Sequence, residues 1–135
     1  MATKKIRKDG VIQSESEEEK TKRLPSKKGV KNSRVGKWQS VMNRVYGLRL
    51  AKDNSFGPDC SKKANAHQLY YKMPTIKNAY VGWLQKRLKE LGYYKGKIDN
   101  SFGPQCQKAT RQFQKNKGLK VDGFVGANTV RELLR

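Results

Sequence analysis

Few side chains in this sequence could carry bond-breaking chemistry. It has one histidine, His67, two cysteines, Cys60 and Cys106, and 11 carboxylates. A thiol nucleophile needs a base within hydrogen-bond reach. A catalytic zinc needs about three His, Cys or carboxylate ligands, and glycoside hydrolysis needs two carboxyl groups across a cleft. A single His, with no His-Glu-x-x-His segment, supplies no zinc set, and neither Cys sits in a Cys–His–acid pattern. Beyond residue 34, Asp53, Asp99 and Asp122 fall in turn sequences, Asp59 and Glu132 at helix positions, and Glu90 on a helix face. No two of them make a pair. The chain therefore reads as a non-catalytic binding protein with no metal and no cofactor. His67 reads as a partly buried structural residue and the two thiols as buried ones.

The elements that carry these residues are duplicated. The hexapeptide Asp-Asn-Ser-Phe-Gly-Pro occurs at Asp53–Pro58 and again at Asp99–Pro104, and a Cys follows each copy, at Cys60 and Cys106. An identity of this length marks an internal repeat. Equivalent positions in two repeats are held apart, so the two thiols are not expected to form a disulfide. Asp and Ser side chains can satisfy the backbone donors of such a turn, and Asn tolerates positive φ. Phe56 and Phe102 would pin each loop to the helices. Pro58 and Pro104 suit the first turn of a following helix, where a missing N–H is harmless.

Helical spacing surrounds both turns. Trp38, Val41, Met42 and Val45 fall at i, i+3, i+4 and i+7, and Leu84, Leu88 and Leu91 form a similar stripe. Gln39 and Gln85 occupy matching positions. After the turns, Cys60, Ala64 and His67 mark one buried face, and Cys106, Ala109, Thr110 and Phe113 the other. Gln68 aligns with Gln114 and Met73 with Leu119. Pro74 is expected to break the first of these later helices and Gly118 to cap the second. A weaker repeat, Val35-Gly36, Val81-Gly82 and Val125-Gly126, precedes three helical stretches. The pattern predicts an all-α fold of two tandem small helical-bundle repeats, with about five to six short helices. A helix near Gly82–Leu91 would close the first repeat and open the second, since repeats of this size are marginal alone. Residues 35–80 and 81–135 form the repeats. Residues 1–34 form a charged, extended or disordered basic tail, within which Lys5–Gln13 could make a short strand.

Charge narrows the partners. The chain has 135 residues with 31 basic and 11 acidic side chains, a net charge of +20. Residues 1–34 hold 11 basic and 5 acidic of these, so the body carries +14. Such a surface attracts polyanions: nucleic acid, anionic lipid or anionic wall polymers. No apolar run reaches the ~18–20 residues of a membrane span, so no membrane partner is expected. The N-terminus turns polar after its first charges and does not read as a secretory signal. Synthesis in the cytoplasm is expected, with later release if the site of action lies outside.

The segment Leu84–Leu134 resembles the small three-helix peptidoglycan-binding domain of bacterial and phage cell-wall hydrolases. Leu84-Gln85, Leu88 and Leu91-Gly92-Tyr93 fit that family's LQ-x2-L-x2-LGY helix. Asp99 and Phe102-Gly103-Pro104 fit its DGxFGPxT turn. Ala109, Phe113-Gln114 and Gly118-Leu119 fit the AVxxFQ helix, and Asp122-Gly123, Val125-Gly126 and Thr129 the last turn. Asn100 replaces the family's Gly, and Cys106 replaces the Thr expected to cap the second helix. The first copy, Trp38–Met73, is a divergent version in which Lys77-Asn78 stands in place of the later turn. Its Trp-Gln-x-x-Met-Asn and Lys-Met-Pro-Thr-Ile-Lys-Asn segments resemble the C-terminal region of clostridial and related phage amidases.

The resemblance implies a peptidoglycan-binding module that brings a lytic partner to the bacterial wall. An N-acetylmuramoyl-L-alanine amidase endolysin, as catalytic domain or full-length lysin, would be such a partner. It implies a ligand groove between the first-helix end, the turns and the last helix. On the second copy that groove falls on Tyr93, Tyr94, Asp99, Asn100, Phe102, Gln105, Asp122, Phe124 and Asn128. The Asp and Phe of the turns read first as turn builders. Tyr70-Tyr71 reads as a candidate exposed aromatic pair, and the first repeat as a weak binder or scaffold. A basic helical nucleic-acid-binding protein is the alternative that charge supports, although no helix gathers its cations with base-reading residues on one face.

Overall fold

The computed structural model of the protein describes residues 30–135. They form β1 (Val30–Lys31), α1 (Ser33–Tyr46), β2 (Ser55–Phe56), α2 (Pro58–Ala66), α3 (Ala79–Glu90), α4 (Pro104–Asn116) and α5 (Ala127–Leu134). This is the mostly helical body that the spacing predicts, and the small strands are its only sheet among the described residues. The Lys5–Gln13 strand and most of the tail lie outside those residues.

Side chains and turn chemistry place the helix starts. The Asn32 side chain accepts from Val35 N (3.2 Å) and that of Asn78 from Val81 N (3.0 Å), capping α1 and α3 with a preferred residue type. Pro58 and Pro104 open α2 and α4, as predicted. Gly118, at φ 71°, follows α4. Pro74 does not terminate α2. That helix stops at Ala66, and His67 leaves helical geometry with its ring stacked on Tyr46 at 3.9 Å. The half-buried His67 is thus structural. Met73 does not reach the Leu119 position, because the shortened α2 leaves it exposed while Leu119 packs on the core.

Helix α1 packs on α3, α3 on α4, and α2 on α5. The buried side chains form one continuous cluster that includes Trp38 and Phe56 from the first half and Phe102 and Phe113 from the second. Trp38 Nε1 donates to Tyr80 OH at 3.2 Å inside it. The middle helix, α3, therefore faces both halves. A second junction was not legible in the repeat: α5 docks on the first copy. Val125 N donates to the Leu69 carbonyl (2.8 Å), and Ala127 N to Asn65 Oδ1 (2.8 Å). The last carbonyls of α5 are also capped from a distance, Leu133 by Arg87 Nε (2.7 Å) and Leu134 by Asn32 Nδ2 (2.8 Å), which satisfies groups that a helix end leaves open.

Because the core is shared, the body should unfold in one thermal transition, and two separated transitions would contradict it. Leu69 is wholly buried at the α2–α5 junction. Leu69→Ala should cost about 2–5 kcal/mol and lower the single midpoint without splitting it.

Candidate functional site

Each turn is organised by one glutamine. Gln85 Nε2 donates to Asp99 Oδ1 (2.9 Å) and the Ser101 carbonyl (3.0 Å) and lies 3.2 Å from Cys106 Sγ. Its Oε1 accepts from the N–H groups of Asp99 (3.1 Å) and Asn100 (3.0 Å). Gln39 grips the first turn in the same way. Its Nε2 contacts Asp53 Oδ1 (3.1 Å), the Ser55 carbonyl (3.1 Å) and Cys60 Sγ (3.4 Å), and its Oε1 accepts from Asn54 N (3.3 Å). Gln114 does so for a third turn, through Asp122 Oδ1 (3.0 Å), the Phe124 carbonyl (2.9 Å), Thr129 Oγ1 (3.1 Å) and the N–H groups of Asp122 and Gly123 (3.1 and 3.0 Å). An amide offers donors and an acceptor on one rigid plane, so only Gln or Asn can satisfy both sides of such a turn. All three glutamines are buried.

The rest of each turn follows from that grip. The Asp carboxylate accepts from the N–H two residues on, at Ser55, Ser101 or Phe124. The next position takes left-handed backbone: Asn54 at φ 62°, Asn100 at 64°, Gly123 at 74°. Asn therefore substitutes for Gly as predicted. The Asn54 and Asn100 side chains then lie over Gly36 and Gly82, where any Cβ would overlap them. This close approach explains two of the three Val-Gly pairs. Cys60, Cys106 and Thr129 do not cap their helices. Each donates back to a turn carbonyl, Ser55, Ser101 or Phe124, at 3.6, 3.5 and 3.4 Å. A thiol serves there, and both cysteines are free and buried, as expected.

An extended residue pairs with each turn: Val30 with Phe56, Leu69 with Val125, and Lys77 with Ser101. Gln68, aligned with Gln114 by sequence, grips no turn. It packs instead beside Gly126 of the third turn.

The nine residues expected to line one groove are dispersed. Phe102 is wholly buried and supports its turn. Tyr94 is 5% exposed; its hydroxyl donates to the Lys97 carbonyl (2.6 Å), and burial pushes its pKa up to about 12. Asp99 and Asn100 are committed to the second turn. Tyr93 and Gln105 border a surface groove of about 470 Å³ between the end of α3 and α4, joined by Lys95, Lys108 and Gln112. The Tyr93 hydroxyl accepts from Asn116 Nδ2 (2.8 Å). Asp122, Phe124 and Asn128 line a separate cleft of about 150 Å³ with Asn65 and Gln68 of the first copy.

Beside that cleft, Tyr70 stacks on Phe124 with ring centroids 4.8 Å apart, and Phe124 is 41% exposed. The Gln68 amide and Asn128 Nδ2 make no hydrogen bond within the described residues, so both can serve a ligand. Sequence reasoning flagged Tyr70 but missed Asn65, Gln68 and the pairing with Phe124, which depends on α5 docking onto the first copy. Among the described residues no group of three or more His, Cys, Asp or Glu could hold a metal.

Residues 77–133, the span of α3, α4, α5 and their two turns, match the family model described as "Putative peptidoglycan binding domain". This segment, residues 77–133, is a peptidoglycan-binding domain of that family. A solved structure, the crystal structure of the SleB N-terminal domain, is 38% identical; the match covers 50% of this chain and 89% of that one, with a TM-score of 0.47. No curated protein matches the chain. Within the family segment lie the Gln85 and Gln114 turns, the groove beside Tyr93, and Phe124 and Asn128. Asn65, Gln68 and Tyr70 lie ahead of it and bring a first-copy wall to the cleft of the peptidoglycan-binding domain.

Two outcomes test the turn chemistry. Gln85→Leu removes the amide, leaving the Asp99 and Asn100 N–H groups without partners and the Asp99 carboxylate with the Ser101 N–H alone. It should cost about 2–4 kcal/mol in denaturant unfolding, the scale of a few orphaned polar groups, and a loss below 1 kcal/mol would contradict the role. The Gln85 amide and then the Ser101 N–H hold the Asp99 carboxyl below its ordinary value of 3.8. A lowered folded pKa stabilises above the ordinary value, and that contribution is lost as pH falls through and below it. Urea midpoints at pH 5 and pH 2.5 should therefore differ less for Asp99→Asn than for the unmodified protein.

Proposed function

We propose that the chain attaches a peptidoglycan-lytic partner to the bacterial wall by docking murein at the cleft between its two copies. The observation that carries this reading is the Tyr70–Phe124 stack beside unengaged amides, set on the third turn of a peptidoglycan-binding domain. Murein offers what such a surface recognises: sugar faces that pack on aromatic rings, and N-acetyl and peptide amides that pair with Gln68 and Asn128. The net charge of +20 adds attraction to a wall rich in carboxylates and phosphates. The groove at Tyr93 and Gln105 is the second candidate surface for the same polymer. Tyr94, Phe102, Asp99 and Asn100 act as its supports and not as its contacts.

The chain itself is read as non-catalytic, and the partner as a hydrolase of the amidase endolysin type. The resemblance of Trp38–Asn43 and Lys72–Asn78 to amidase C-terminal regions supports this. The protein would then act at the wall after release from the cytoplasm.

Purified sacculi should retain the protein on sedimentation at physiological salt. Tyr70→Ala combined with Phe124→Ala should cut retention about tenfold while the far-UV circular dichroism stays unchanged. Recovery of the unmodified protein wholly in the supernatant would end the reading, and undiminished retention of the double variant would remove the cleft. Tyr94→Phe should lower the thermal midpoint and leave retention intact.

A further inference from the structure

We infer that the recess between α1 and α3 is a separate site for the phosphate groups of a polyol- or sugar-phosphate chain. The recess has a volume of about 340 Å³ and is lined by Arg34 and Lys37 of α1 and by Trp83, Lys86, Arg87 and Glu90 of α3. That size is typical of small-ligand sites and larger than a single phosphate needs.

The charge balance of the recess is lopsided. Its one acid, Glu90, is engaged with Arg87 Nη1 at 3.3 Å, and no ion pair among the described residues involves Lys37 or Lys86. Arg34 stands in the first turn of α1, which holds no acidic residue, and Lys37 follows at the start of the second. A cation in the first turn opposes the helix dipole, whose positive end favours anions. An arrangement that costs stability in the free protein becomes favourable once an anion bridges the two helices.

The site is also built to hold its shape. Arg87 Nε is fixed on the Leu133 carbonyl at 2.7 Å, and its side chain is 12% exposed. Arg34 Nη1 reaches the Arg135 carbonyl at 3.5 Å. Trp83 packs on buried Tyr80, with centroids 5.8 Å apart, and provides the apolar wall. An indole beside fixed cations suits a ligand that alternates carbon-rich units with phosphates. The cations line a walled recess and not a convex stripe along one helix, which favours a flexible phosphodiester chain over duplex nucleic acid. None of these residues borders the Tyr70–Phe124 cleft, so the proposal stands apart from murein docking.

The test is calorimetric titration of the full chain with a synthetic glycerol-phosphate oligomer at physiological salt. Lys37→Gln with Lys86→Gln should weaken binding at least tenfold. Lys52→Gln with Lys62→Gln makes the same charge change on exposed residues away from the recess and should weaken it less than twofold. Tyr70→Ala with Phe124→Ala should leave it unchanged. Absence of binding, or equal losses in the two lysine pairs, would overturn the proposal. So would tighter binding of a duplex DNA with the same number of phosphates that depends on Lys37 and Lys86.

Discussion

The fold depends on a buried primary amide that is made to satisfy both sides of a turn. A loop of Asp-Asn-Ser type presents N–H groups, a carbonyl and a carboxylate to the same point. The glutamine side that faces them is buried, and leaving its amide unmatched there would cost a few kcal/mol. The amides of Gln39, Gln85 and Gln114 each match them from the preceding helix. The helix, the turn and the start of the next helix thereby become one rigid unit. With three such units in 106 described residues, the short helices need little else beyond a shared apolar core.

That constraint decides what can face a ligand. Residues that build the turns have structural work to do: Phe102 and Tyr94 are buried, the exposed Asp99 carboxylate accepts from Gln85 and the Ser101 N–H, and the exposed Asn100 side chain lies over Gly82. Surface chemistry is left to the residues on either side of the grip. In the third turn, Phe124 occupies the position that Ser holds in the other two, so an aromatic ring emerges where the others show a hydroxyl. Tyr70, delivered by the segment that pairs with that turn, completes the platform. The first copy has therefore not merely decayed. Its α2 supplies Asn65 for the first N–H of α5, and the segment after α2 supplies a wall of the cleft.

Much of this was legible in the sequence. The repeated hexapeptide announced the turns, Asn at positive φ was allowed by its short polar side chain, and helical spacing found Trp38, Met42, Leu84 and Leu88 in the core. The third turn was harder to see as an equivalent of the other two. It follows its glutamine after fewer residues, and Gly, Phe, Val and Thr replace Asn, Ser, Phe and Cys. What could not be read was any contact between distant segments. Alignment paired Gln68 with Gln114 because their neighbours matched, yet α2 stops too early for Gln68 to reach a turn. The dispersion of the nine candidate residues has the same cause. Motif order says which residues belong to a turn, but burial removes Phe102 and Tyr94 and the turn's own hydrogen bonds engage Asp99.

The proposed docking rests on the platform beside the third turn, and not on the turn motif itself. Backbone amide chemical shifts of the labelled chain, recorded as soluble muropeptides are added, test this most directly. Docking at the platform requires the largest changes at Tyr70, Phe124 and Asn128, with small ones at Asp53–Pro58. Changes confined to the duplicated hexapeptides, or none at saturating muropeptide, would contradict it.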